Sequence, residues 1–200
     1  MKRLSSVMEN DLAYRLWQAP FAERKLAPLL RGGELASARR VLDVGCGPGT
    51  NARHFAGVEY LGIDHNPGYI ASARRRFGDR FAVADVRGDF AGAAAGFDFI
   101  LVNSLFHHIA TEDTRRILAR LANLLTDRGH VHILDLVMPD RPGLSRLLAR
   151  WDRGDFPRPL ESWRALYEEA FEPVIFEPYP LGALGMTLWS MVYFKGKKRS

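Results

Sequence analysis

Apolar residues recur along this chain in two alternating rhythms. Short runs dense in β-branched, aromatic and other apolar residues predict strands at "RVLDV" (40–44), "YLGID" (60–64), "RFAVAD" (80–85), "FDFILVN" (97–103) and "GHVHILDLV" (129–137). Between them, "TNARHFA" (50–56), "PGYIASARRRFG" (67–78) and "TEDTRRILARLANLL" (111–125) predict helices. In the last of these Ile117, Leu118, Leu121, Leu124 and Leu125 fall on one face, and in the second Pro67 stands near the first turn. Upstream, residues 12–33 read as one or two amphipathic helices stopped by Gly32 and Gly33. Downstream, "LESWRALYEEAF" (160–171) predicts a helix, and "PVIFEPY" (173–179) and "TLWSMVYFKG" (187–196) predict strands close enough to pair.

Strands alternating with helices at this spacing imply an α/β protein whose parallel sheet is covered on both faces. The expectation is one domain over 1–200. It is a Rossmann-like, doubly wound, mostly parallel sheet of seven strands, the last two an antiparallel hairpin. Helices over 1–38 form an N-terminal cap, 39–136 the cofactor-binding core, and 137–200 a lid-like segment followed by the C-terminal strands. Residues 138–163, rich in arginine, tryptophan and proline, break the alternation and leave the sheet at the edge where ligands bind, so they read as a lid or as a surface helix.

Composition narrows this picture without redirecting it. Of 200 residues, 47% are apolar and 26% charged, the balance of an ordinary globular domain. One cysteine, Cys46, excludes an internal disulfide framework and fits a reducing, cytoplasmic setting. The beginning does not read as a secretory signal. The uncharged stretch 178–194 is too rich in proline and glycine for a membrane helix, so no membrane span is expected. The net charge of +5 is concentrated in the tail "KGKKRS", which reads as a solvated end; a nucleic-acid partner is not expected. His130 and His132 lack the cysteine or carboxylate partners of a metal site, so no metal is expected either.

In open sheets of this kind ligands bind beyond the carboxyl ends of the strands. Those ends carry Asp43 with Gly45, Gly47 and Gly49; Asp64 with His65; Asp85 with Val86; and Asn103 to His108. A dinucleotide loop needs G-x-G-x-x-G, but its third small residue would fall at Thr50. Asp43, just before the loop, would repel a pyrophosphate and welcome an ammonium group. A nucleotide-dependent oxidoreductase is disfavoured on both counts.

The ordered set "VLDVGCGPGT", "LGID", "VADV" and "FDFILVNSLFHHI", spanning Val41 to Leu136, resembles the class I S-adenosylmethionine-dependent methyltransferases. That resemblance implies S-adenosylmethionine as cofactor, with S-adenosylhomocysteine as product. It implies a methionyl group lying across Gly45, Cys46, Gly47 and Gly49, its ammonium near Asp43. Asp64 would accept from the ribose hydroxyls, with His65 against the adenosine. Asp85 and the Val86 N–H would meet the adenine, and Asn103 would border the site. Cys46 itself reads as a small packing side chain. The amine cradle D/N-P-P-Y/F is replaced by Asn103-Ser104-Leu105-Phe106, so the expected acceptor atom is an oxygen or carbon of a small molecule. His107 is the candidate base for such an acceptor, and His108 reads as structural. An RNA or protein methyltransferase, or a non-catalytic S-adenosylmethionine-binding module, are the alternatives.

Overall fold

The structure is a computed structural model and describes residues 21, 23–88, 95–151, 155–183 and 186–199. A seven-stranded sheet carries the order β3-β2-β1-β4-β5-β7-β6. The strands are β1 (Arg40–Val44), β2 (Glu59–Asp64), β3 (Phe81–Val83), β4 (Phe97–Asn103), β5 (Leu125–Val137), β6 (Phe171–Ala183) and β7 (Met186–Lys198). The first five are parallel; β7 runs antiparallel to β5 and pairs with β6 as a hairpin. The expected mostly parallel sheet with a terminal antiparallel hairpin is therefore the fold. The helices are α1 (residues 23–31), α2 (Pro67–Phe77), α3 (Thr111–Leu124), α4 (Leu144–Trp151) and α5 (Leu160–Ala170). Of the helical stretch read over 12–33, residues 12–20 and 22 lie outside the described residues.

Strand alternation explains the two-sided core. Leu42, Val44, Ile100, Val102, Val131 and Ile133 point to one face, where Ile117, Leu118 and Leu121 of α3 and Trp163, Leu166 and Tyr167 of α5 cover them. Val41, Phe99, Leu101 and Leu134 point to the other face, against Leu26 and Leu29 of α1 and Ile70 and Ala73 of α2.

Local signals place the helix starts. Asn66 caps α2 by accepting from the Gly68 and Tyr69 N–H groups, and Pro67 occupies the first helical position. Glu112 and Asp113 stand in the first turn of α3, where carboxylates favour the helix dipole. Some boundaries differ from the sequence reading. The helix expected after the glycine loop is a 3-10 turn over Thr50–His54. The third strand stops at Val83, because Asp85 folds the next residues into a turn by accepting from the Arg87 N–H.

The segment beyond β5 returns on itself. Met138 N–H donates to the Arg158 carbonyl at 2.8 Å, and Val137 bridges to Arg158. Between these points α4 packs Ala149 onto a small cluster of Leu136, Leu181, Trp189 and Met191.

Candidate active site

The carboxyl edge is built around the turn that follows β1. Gly45, Gly47 and Gly49 all take left-handed backbone, with φ of +71°, +55° and +80°. Their reasons differ. A Cβ on Gly49 would meet Ala73, Phe77 and Phe81 at 3.1–3.2 Å, and one on Gly45 would meet Leu105 at 3.0 Å. A Cβ on Gly47 would meet nothing within 4 Å. Gly45 and Gly49 thus lie against the protein's own side chains, whereas Gly47 borders open space. Cys46 is buried beneath the turn among apolar neighbours, and burial pushes its thiol well above the ordinary range.

The three aspartates also differ. Asp43 lies within β1, fully buried, where its carboxylate accepts from the Tyr60 hydroxyl at 2.7 Å and the Asn51 amide at 3.2 Å. Burial raises its pKa to about 6 against those two donors. Asn51 in turn accepts from the Asn103 amide at 3.4 Å, so a polar chain runs from the end of β4 into the core. Asp64 ends β2. One of its oxygens accepts from the Gly47 N–H at 3.0 Å and the other from the Asn66 N–H at 2.8 Å, which ties the glycine turn to the start of α2. Each carboxylate oxygen retains further lone-pair capacity. His65 is exposed, its Nδ1 3.5 Å from Asp64. Asp85 stands apart, half-exposed and paired with Arg87 at 2.8 Å; hydrogen bonds from Arg87 hold its carboxyl down at about 2. The Val86 side chain is core. Asp85 is therefore engaged by a neighbour two residues on that the sequence reading did not weigh.

After β4 the chain turns through Ser104, the single described non-glycine residue with positive φ (+58°), into a 3-10 turn over Phe106–His108. Here the structure adds a residue the sequence reading missed. Asp135, fully buried in β5, accepts from His107 Nδ1 at 2.5 Å and from the Phe106 and Leu136 N–H groups at 2.7 Å each. A carboxylate offers only lone pairs, so this contact places a hydrogen on Nδ1. A lone acid inside the apolar run "HILDLV" was the available signal. Arg158 closes the turn from outside, donating to the Phe106 and Ile109 carbonyls at 3.0 and 2.7 Å while lying over the Trp163 ring. His108 stacks obliquely on His107. His132 is a core residue, stacked on Phe99 and bonded to the Tyr193 hydroxyl at 2.9 Å. Among the described residues no cluster of three metal-ligating side chains occurs, and no helix is long and apolar enough to cross a membrane.

A family model described as a methyltransferase domain matches residues 41–129, the segment holding the glycine turn and the ends of β1 to β4. That match covers a little under half of the chain, and the fold around it is shared with S-adenosylmethionine-dependent methyltransferases. The chain is similar to a trans-aconitate 2-methyltransferase of Delftia acidovorans, 33% identical over 123 residues that cover 58% of this chain and 44% of that protein. It is also similar to the O-methyltransferase cnsE of Penicillium expansum, 32% identical over 125 residues that cover 56% of this chain and 44% of that protein. The chain thus spans about half the length of the curated relatives it matches. The same fold occurs in the N-methyltransferase NodS of Bradyrhizobium japonicum, solved with S-adenosylhomocysteine, at a TM-score of 0.72 and 19% identity over 90% of this chain and 89% of that one.

Proposed function

We propose that the chain transfers the methyl group of S-adenosylmethionine to an oxygen of a small-molecule acceptor. The observation that carries the reading is Gly47: its missing side chain faces open space, beside a buried carboxylate that braces the same turn. That vacancy fits a ligand lying across the backbone, as S-adenosylmethionine does in this reading. Gly47 and the flanking turn of Gly45, Cys46 and Gly49 would bear the methionyl part, with the buried Asp43 carboxylate toward its ammonium and Asn103 at its border. Asp64 would accept from the ribose hydroxyls with the lone pairs its backbone bonds leave, and His65 would lie beside it. Asp85 and the Val86 N–H would border the adenine, Asp85 sharing its oxygens with Arg87. The bound cofactor supplies a methyl on a positively charged sulfur, a carbon already activated for in-line displacement.

The protein's share is position and proton handling. Alignment of two bound reactants is worth roughly 7–11 kcal/mol. His107 is the base for a hydroxyl acceptor, with Asp135 holding its Nδ1. Oxygen is favoured over carbon by the O-methyltransferase among the relatives, and a small acceptor by the trans-aconitate enzyme. The Phe156 N–H donates to the His107 carbonyl at 2.9 Å, which supports a covering role for the residues around Phe156. The test is calorimetric titration with S-adenosylmethionine, S-adenosylhomocysteine and NAD, followed by an acceptor screen with methyl-labelled cofactor. Binding of the first two and not of NAD is expected; binding of NAD alone overturns the reading.

A further inference from the structure

Asp43 is a fully buried carboxylate whose side-chain donors are both neutral, the Tyr60 hydroxyl and the Asn51 amide. The ionisable groups that act on it, Asp64 and the Cys46 thiol, bring no positive charge. Its aim therefore depends on where Tyr60 and Asn51 stand. One cation holds both from behind. Arg80, between α2 and β3, lays its guanidinium over the Tyr60 ring, 5.0 Å from the centroid. Its Nη2 donates to the Ala52 carbonyl at 3.2 Å and its Nη1 to the Phe55 carbonyl at 3.1 Å. Ala52 follows Asn51 directly in the 3-10 turn over Thr50–His54, and Phe55 ends that turn.

The backbone fixes Arg80 in turn. Its N–H donates to the Gly78 carbonyl at 3.0 Å, and its carbonyl accepts from the Gly62 N–H at 3.0 Å, midway along β2 between Tyr60 and Asp64. The 3-10 turn it grips has no side-chain cap of its own, so the two guanidinium bonds are what ties the turn to β3. The Arg80 Nε is buried without a hydrogen-bond partner among the described residues. A buried donor left unmet costs stability. Fold stability alone is thus a poor reason for an arginine here, and a demand from the site accounts for it better.

We propose that Arg80 is a positioning residue for the cofactor's ammonium: by gripping the 3-10 turn and the Tyr60 ring it sets the two donors that aim the Asp43 carboxylate. This rests on the reading of Asp43 as the partner of the methionyl ammonium and adds the residue that governs that pairing. Arg80 makes no hydrogen bond or ion pair with Asp43 and acts through Tyr60 and Asn51. A buried carboxylate pairs with an ammonium only when ionised, and each donor bonded to it favours the ionised form. Loosened donors leave Asp43 protonated to higher pH and the ammonium without its partner.

The test titrates the full chain with S-adenosylhomocysteine and with methylthioadenosine, which keeps the adenosine and the sulfur but lacks the amino-acid end, between about pH 5 and 8. Arg80→Met keeps an apolar stem on Tyr60 and removes the donors. It is expected to weaken S-adenosylhomocysteine by about tenfold, to move its binding midpoint to higher pH, and to change methylthioadenosine by less than about twofold. Arg80→Lys, with the charge but a single donor in place of the fork, should show the same selective loss at a smaller factor. Tyr60→Phe keeps the ring under Arg80 and removes the hydroxyl; its loss should also be selective, and the double variant should lose less than the product of the two single losses. Equal losses for the two ligands in either Arg80 variant, unchanged S-adenosylhomocysteine affinity, or independent losses in the double variant would overturn the proposal. A parent that binds both ligands equally overturns the pairing of Asp43 with the ammonium, and the proposal with it. A parent that binds neither overturns the methyl-transfer reading itself.

Discussion

The glycines of the turn after β1 look alike in the chain and do different work. Gly49 is hemmed in by Ala73, Phe77 and Phe81, whereas Gly47 opens outward. Both hold left-handed backbone, which costs an L side chain roughly 1–2 kcal/mol. Gly49→Ala adds a steric conflict to that strain and is expected to lower stability by roughly 2–4 kcal/mol, since α2 or Phe81 must shift. Gly47→Val is expected to cost less stability and to abolish S-adenosylhomocysteine binding. Denaturant unfolding and calorimetry of the two variants separate the effects. Equal loss of stability in both, or full binding by Gly47→Val, would show that the vacancy at Gly47 is not the ligand's.

At the scale of elements, the 3-10 turn over Phe106–His108 is short and has no side-chain cap of its own. It is held from two sides: Asp135 binds its first N–H, and Arg158 binds the carbonyls of Phe106 and Ile109. The bridge between Val137 and Arg158 thereby joins the segment carrying α4 to the turn that positions His107. Arg158→Met keeps the hydrocarbon packing on Trp163 and removes the donors. The Phe106 carbonyl keeps the Ile109 N–H and the Ile109 carbonyl keeps the Thr114 hydroxyl, so the expected loss is that of the charge-assisted bonds alone, about 1.5–3 kcal/mol for each. Hydrogen exchange should then speed up at His108, Ile109 and Phe156 while the N–H groups of β1 and β4 stay protected. Uniform loss of protection would show that Arg158 supports the whole domain and not this turn.

For the molecule as a whole, the buried Asp43 sets a pH dependence of known sign. Its folded pKa, raised by burial to about 6, lies above the ordinary aspartate value of about 3.9, so the folded state holds the proton more tightly. The stabilisation is complete below about pH 4 and is lost as pH rises through about 6. The slope is about 1.4 kcal/mol per pH unit and the total about 3 kcal/mol. Asp85, held down by Arg87, acts in the opposite sense and in a separate window, losing its contribution as pH falls below about 4 toward 2. Denaturant unfolding from pH 4 to 7 should therefore show stability falling in the parent, and Asp43→Asn should remove that fall. An unchanged slope in the variant would place the titrating group elsewhere.

What the chain alone determined was the alternation. β1, β4, α2, α3 and α5 lie within a residue of where periodicity puts them, because each buries a continuous apolar face and is bounded by local signals such as Asn66 and Pro67. The glycine turn, Asp64 and His107 could be singled out for the same reason: chemistry that follows a strand end is a local property of the sequence. Tertiary structure decided what those residues face. Parallel pairing sets Tyr60 beside Val41, which brings its hydroxyl to Asp43 and turns that expected edge residue into a buried one. Pairing of β5 with β4 sets Leu134 beside Asn103 and so carries Asp135 to His107, 28 residues earlier in the chain. Lys25 reaches Ser104 across 79 residues, through packing of α1 on the sheet edge. No periodicity in the sequence encodes such contacts. They arise when strands far apart in the chain come to lie about 4.8 Å apart in the sheet, and that spacing decides which polar groups share a site.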